Sequence, residues 1–277
     1  MNKILLSIAL ISFGYIALGS EPSEELLSKT RQLTFEGLRS GEGYFSQSGQ
    51  KLIYQSENHA GNPFYQIYLL DLTSGENKIV STGVGKTTCA WIHPDEKQVL
   101  FSSTHLDVNA TLKQVAEFKE RESGKARKYS WDYDRHYDLF SVDTESGKST
   151  RLTTADGYDA EGSYSPAGDK IVFASNRNAY SKKLSVKEME IFERDKSYFN
   201  DIYLMNSDGT GTRQLTSSEG YDGGPFFNNH GDQICWRRFS PNGHKAEIFT
   251  MDLASQAEKK LTHLDVMSWA PYFHPSN

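Results

Sequence analysis

The residue types that could do chemistry in this chain are present, but few of them stand at spacings that chemistry uses. No Gly-x-Ser-x-Gly elbow occurs to present a nucleophilic serine, and no His-Glu-x-x-His helix to hold zinc. Gly85-Lys86-Thr87 lacks the upstream glycine of a phosphate loop. The eight histidines are scattered, and His93 and His274 each precede a proline at what reads as a turn, a structural place. The two cysteines, Cys89 and Cys235, have no Cys-x-x-Cys spacing and read as small apolar residues rather than as a disulfide or zinc site. What remains suits binding. The run Trp131-Asp132-Tyr133-Asp134-Arg135-His136-Tyr137 offers aromatic anchors with charges between them. Asp159 and Asp222, each in a Gly-Tyr-Asp triplet, and Glu42 and Glu161 are expected around a channel mouth. There they either fix linkers or admit a cation, so the metal question stays open. Arg237, beside Arg238, is expected to pair with a carboxylate, or the pair merely with Asp222. The candidate binding set is Trp131, Asp132, Tyr133, Asp134, His136, Asp159, Asp222 and Arg237; it implies no catalytic residue and no cofactor.

The elements that position these residues are read from a repeat. Glu42–Tyr54, Cys89–Phe101, Glu161–Phe173 and Gly224–Trp236 align without gaps, and a Leu-Thr-like pair precedes each (Leu33-Thr34, Val80-Ser81, Leu152-Thr153, Leu215-Thr216). A fifth pair, Leu261-Thr262, is followed by Ala270-Pro-Tyr-Phe-His-Pro-Ser-Asn277. The pairs recur at steps of 47, 72, 63 and 46 residues, and the shorter steps match one four-stranded propeller blade. Each unit reads as four strands. An inner strand ends in aromatics, and a β-branched second strand such as Lys170-Ile-Val-Phe173 follows. The third alternates (Gln66–Asp71, Asp138–Asp143, Asp201–Asn206, Glu247–Asp252), and a fourth carries the Leu-Thr pair. A sandwich would need no such repetition. The expected fold is all-β: a propeller of four-stranded blades, with four repeats and a truncated fifth.

Two repeats carry partly helical insertions between their second and third strands, which puts both on the face of the Gly-Tyr-Asp linkers. One holds a helical stretch from Thr111 to Phe118; the other opens with a capping box at Ser185–Glu188 and runs to about Arg194. These loops either recognise a partner or brace the blade edge. The net charge of −6 and the pI near 5.8 argue against a nucleic-acid surface. Lys3, the apolar run Ile4–Leu18 and the small-x-small Ala17-Leu18-Gly19 read as a signal peptide over residues 1–19. The propeller domain is expected over 20–277, secreted or periplasmic, with no stable membrane span after signal removal.

Leu-Thr, Gly-Tyr-Asp, Ser-Pro-x-Gly-x-Lys-Ile-x-Phe, Ser-Asn-Arg and Asp-Ile-Tyr-x-Met-x-x-Asp-Gly resemble the repeats of TolB-type propellers (WD-like, PD40 repeats). The match is nearly letter for letter over residues 152–216. The repeat at 80–150 departs, with Glu96 at the turn-glycine position. The resemblance implies six blades. The turn glycine stands 16 residues after Leu33, Leu152 and Leu215, and the same step from Leu261 lands on Asn277, the last residue, before a second strand of that repeat begins. The expectation is therefore an incomplete ring with two open edges, in which Arg31–Thr34 would complete the last blade. Gly85–Pro94, Tyr129–Tyr133 and Met267–Pro275 further resemble secreted bacterial proteins in which such a propeller precedes a zinc aminopeptidase domain. The implied role is non-catalytic binding of a protein or peptide; the alternative is a propeller that gates a peptidase. Propeller enzymes of lactonase type need a full carboxylate and histidine set, which this sequence does not assemble.

Overall fold

The computed structural model describes residues 29–125, 131–274 and 276. The signal-peptide reading of residues 1–19 and Tyr129 of the second motif lie outside them. The chain divides into two compact units, the first ending at Phe35 and the second beginning at Glu36. The first, as far as it is described, has no strand, so Arg31–Thr34 is irregular where a fourth strand was expected.

The second unit contains four antiparallel four-stranded sheets, each laid out in chain order. Blade one is β1 (Ser40–Phe45), β2 (Lys51–Ser56), β3 (Gln66–Asp71) and β4 (Asn77–Ile79). Blade two is β5 (Thr87–Ile92), β6 (Gln98–Ser103), β7 (Asp138–Asp143) and β8 (Ser149–Arg151). Blade three is β9 (Asp159–Tyr164), β10 (Lys170–Ser175), β11 (Asp201–Asn206) and β12 (Arg213–Gln214). Blade four is β13 (Asp222–Phe227), β14 (Gln233–Phe239), β15 (Ala246–Asp252) and β16 (Glu258–Lys260). Four blades are thus present among the described residues, where the resemblance implied six. The start of the fifth repeat forms no sheet; its only bridge joins Met267 to Ala246.

The second strands of the two middle blades are apolar on both faces because each is sandwiched between neighbouring sheets. In β6, Val99 and Phe101 pack on Ile53, Ile67 and Leu69 of blade one, while Leu100 turns the other way onto Ile171 and Phe173 of blade three. In β10, Val172 and Ala174 reach Ile234 and Trp236 of blade four. A period of two thus feeds two interfaces from one strand.

The Leu-Thr pair does not sit in the fourth strand, as expected, but just past its end. Each Leu-position N–H bonds a third-strand carbonyl (Leu152 to Leu139 at 2.8 Å, Leu215 to Ile202 at 2.8 Å). The following hydroxyl then accepts that same residue's N–H: Thr153 from Leu139, Thr216 from Ile202 and Thr262 from Ile248 at 2.9 Å, Ser81 from Ile67 at 3.0 Å. A side-chain oxygen extends the ladder where the backbone has already turned away, which explains why Ser or Thr recurs there.

The insertions fold as α1 (Ala110–Glu122), α2 (Asn178–Ser181), α3 (Val186–Arg194) and a 3-10 turn (Lys196–Phe199). The capping box at Ser185 and Glu188 is formed.

Candidate functional site

Every inner strand has a bulge at the same place. The pairing register slips between Gly41 and Tyr44, Thr88 and Trp91, and Gly223 and Phe226, and β9 slips opposite Val172–Ala174. At each slip one residue takes a left-handed backbone: Glu42 (φ 46°), Cys89 (φ 50°), Glu161 (φ 59°) and Gly224 (φ 62°); Ala270 (φ 48°) repeats it in the fifth unit. These are the first residues of the five aligned repeats. Four of them carry a Cβ that disfavours this region, a strain of about 1 kcal/mol or more each. The bulges aim one residue per blade at the central axis.

There they line a cavity of about 620 Å3 on the insertion face. Its aromatic wall includes Tyr44, Trp91, Trp131, Tyr133, Tyr221 and Trp269. Gly43, Tyr44, Trp91, Phe226 and Ala270 also line a cavity of about 590 Å3 on the opposite face, so these rings partition the axis. Tyr44 lies 4.7 Å from Trp91 and 5.8 Å from Phe226, centroid to centroid.

Arg237 and Glu161 form the polar centre. Arg237 Nη2 donates to Tyr221 Oη at 2.7 Å and to Glu161 Oε2 at 3.3 Å. Tyr221 Oη lies 2.5 and 2.7 Å from the two Glu161 oxygens, and the Gly224 N–H also donates to Oε2. The guanidinium lies over the Trp269 ring at 4.3 Å and the Tyr221 ring at 5.2 Å. Burial works against its charge, but Tyr221 and Glu161 outweigh it and raise the Arg237 pKa. A Cβ on Gly224 would meet Arg237 Nη1 at 2.2 Å, so only glycine in blade four leaves room for this arginine.

Glu42 and Cys89 sit beside that centre. The Cys89 thiol donates to Glu42 Oε2 at 3.4 Å. Burial, then the nearby Glu42 and Glu161, pushes that thiol far above its ordinary range, so it stays protonated and unreactive. Burial and then Glu161 raise Glu42 in turn. Neither cysteine is in a disulfide.

The expected site residues separate into two groups. Trp131, Tyr133 and Arg237 line the cavity. Trp131 Nε1 donates to Tyr158 Oη at 2.8 Å, and Tyr133 packs edge-on to Tyr158 at 4.9 Å. The other five are engaged elsewhere. Asp159 and Asp222, placed at the channel mouth by the sequence, are fully buried braces. Arg177 Nη2 bonds Asp159 at 2.6 Å, and Arg238 forks onto Asp222 at 2.7 Å through both Nε and Nη2. Asp132 pairs with Lys86. Asp134 holds Lys86 at 2.9 Å and Lys113 at 2.6 Å, and His136 Nδ1 at 3.1 Å. Although burial alone would raise it, these lysines keep Asp134 well below the carboxylate range. Asp107, Asp134 and His136 converge as metal ligands would, but the Lys113 ammonium bridges both carboxylates, at 2.7 and 2.6 Å, and takes the cation's place. Tyr221 and Trp269 were missed; the step from each inner strand back to its preceding Gly-Tyr-Asp would have pointed to Tyr221.

Blades of this topology around an axial cavity define a β-propeller. No family model matches the chain. Among solved structures it is similar to a putative TolB from Agrobacterium tumefaciens (18% identity, TM-score 0.56), covering 81% of this chain and 67% of that one. It is also similar to TolB from Acinetobacter baumannii (18%, 0.53; 83% and 45%). A puromycin-hydrolyzing peptidase of Mycobacterium tuberculosis shares the fold over 87% of this chain and 31% of its own (9%, 0.54). The chain thus spans about two thirds of the first and under half of the other two. At these identities the likeness is one of fold.

Proposed function

We propose that this chain is a secreted or periplasmic binding propeller that holds a protein or peptide segment in its axial funnel and performs no chemistry on it. The observation that carries this reading is the wall of the 620 Å3 cavity. It is rich in Trp and Tyr, the side chains that dominate binding energy. Its thiol is held protonated, and among the described lining residues no histidine stands by to activate a nucleophile. A second reading, a propeller that gates a peptidase, is favoured by the fold shared with the mycobacterial peptidase, of which this chain matches under a third. The cavity would then guide a substrate to a catalytic domain elsewhere.

Fluorescence polarisation of dye-labelled, unstructured pentapeptides tests the reading. Saturable binding without cleavage is expected, lost in the Trp131→Ala/Tyr133→Ala double variant, which loses its packing on Tyr158 but still melts cooperatively and above a core variant. Should that variant melt as low as a core variant such as Phe173→Ala, the insertion is a brace and the recognition role falls. Slow cleavage of bound peptide would overturn the non-catalytic part.

A further inference from the structure

We infer that the funnel selects ligands bearing an alkylammonium group, and that Glu42 receives it. The inference deepens the reading of the funnel as a peptide site and rests on it. Glu161 and Glu42 both project from left-handed bulges into the cavity, yet their circumstances differ. Glu161 is saturated from within by the Tyr221 hydroxyl, the Gly224 N–H and the Arg237 guanidinium, and the Tyr158 hydroxyl stands 3.5 Å away. Arg237 is spent on that same cluster and stacked on Trp269, so its charge is matched by Glu161. Among the described residues the hydrogen bonds to Glu42 come from Cys89, through the weak thiol donor at 3.4 Å and the backbone. Among the described residues no cationic side chain bonds Glu42; Arg237 acts on it only through space, with its hydrogen bonds spent on Glu161 and Tyr221.

The surroundings set what can balance it. An anionic ligand would meet Glu42 and Asp195 on the same wall. A neutral apolar ligand would strip water from Glu42 and return nothing, a costly desolvation. An ammonium group supplies three donors to the open oxygens, and the faces of Tyr44, Trp91, Trp131 and Tyr133 stabilise a cation within the same cavity. Burial and then the Glu161 charge raise the Glu42 pKa, while Cys89 and the more distant Arg237 charge offset this only in part.

A peptide offers an ammonium from two sources, its amino terminus or a lysine side chain. Calorimetric titration of the full chain separates them with three probes: tri-alanine amide, its N-acetyl derivative, and N-acetyl-Ala-Lys-Ala amide. The expected result is that acetylation weakens tri-alanine amide at least about tenfold. Glu42→Gln should bring the free-amine probe down to the acetylated level and leave the acetylated probe unchanged. Recovery by the lysine probe assigns the side chain as the source; no recovery assigns the terminus. Should Glu42→Gln fail to fold, judged by its circular dichroism and melting, the wild-type comparison of the three probes still decides. Equal affinity for free and acetylated tri-alanine, with no gain from lysine, overturns the ammonium inference and leaves the peptide-binding reading standing. Discrimination that survives in Glu42→Gln removes Glu42 as the receptor. No binding of any probe removes both.

Discussion

At the scale of single residues, the funnel is set by which side chain each blade places on its bulge: Glu42, Cys89, Glu161 and, in blade four, none. Gly224 makes this testable, because a methyl there suffers twice. The backbone is left-handed, and the Cβ overlaps Arg237 Nη1. Gly224→Ala is expected to cost about 1–3 kcal/mol, with about 1 from the backbone alone. In an Arg237→Ala background the overlap vanishes, and the same change should cost only that backbone strain. Urea denaturation of the four proteins in the cycle checks the coupling; additive costs would mean that the guanidinium moves aside freely. The sequence brought Glu42 and Glu161 to the axis and offered Asp222 as a partner of the Arg237-Arg238 pair, which Arg238 fulfils 16 positions further on. It gave Asp159 no such partner, because nothing in a Gly-Tyr-Asp triplet points to Arg177, 18 positions away. The sequence singled out Arg237, and Arg237 does line the cavity; alternation puts Arg238 on the other face of the strand, where it braces Asp222.

At the scale of elements, the repeat was legible almost to the residue. The third strands read from alternation, Gln66–Asp71, Asp138–Asp143 and Asp201–Asn206, match β3, β7 and β11, and Glu247–Asp252 is one residue short of β15. The fourth strands were misread because the Leu-Thr signal reports a side-chain clamp beyond the strand rather than the strand itself. Thr216→Val removes that clamp with little change in volume. It strands the Ile202 N–H, and a loss of about 1–3 kcal/mol is expected, against roughly 3–5 kcal/mol for Phe173→Ala in the buried β10. Comparing their unfolding midpoints in urea tests the order; a neutral Thr216→Val would reduce the motif to a turn preference. Strand β11 also carries a pH signature. Burial, then the neighbouring Asp222, pushes Asp201 up to about 7. The folded chain therefore keeps a proton that the unfolded chain releases at about 3.9. This contribution is full below about pH 4 and lost as pH rises through 7. Asp201→Asn should remove its share, so that the variant gains about 3 kcal/mol relative to wild type between pH 4.5 and 8. Burial raises Asp159 and Asp222 in the same direction, so some of the slope should survive. A wild-type slope unchanged by the substitution would show that Asp201 is not its source.

At the scale of the molecule, the question is what makes four blades one cooperative body. Side-by-side packing couples only neighbours: one to two, two to three and three to four. Left to those interfaces, the array would behave as a chain of nearest-neighbour units, free to fray from either end. The axis adds a different connection. Trp91 of blade two lies 4.7 Å from Tyr44 of blade one, 5.4 Å from Phe226 of blade four and 6.3 Å from Tyr272, and Tyr44 touches Phe226 directly at 5.8 Å. These rings join the first blade to the fourth without passing through the third. Each such ring pair contributes about 0.5–1.5 kcal/mol beyond its buried area. Trp91→Ala removes three of them at once and should cost about 3–5 kcal/mol. The location of the damage is the sharper readout. If the rings couple the blades, amide exchange should quicken in β1 and β13, which lie on different blades, more than in β10 and β11, whose packing on Ile234 and Trp236 is untouched. Faster exchange confined to β5 and β6 would instead make Trp91 an ordinary member of its own sheet, and the four blades a linear array held by neighbour contacts alone.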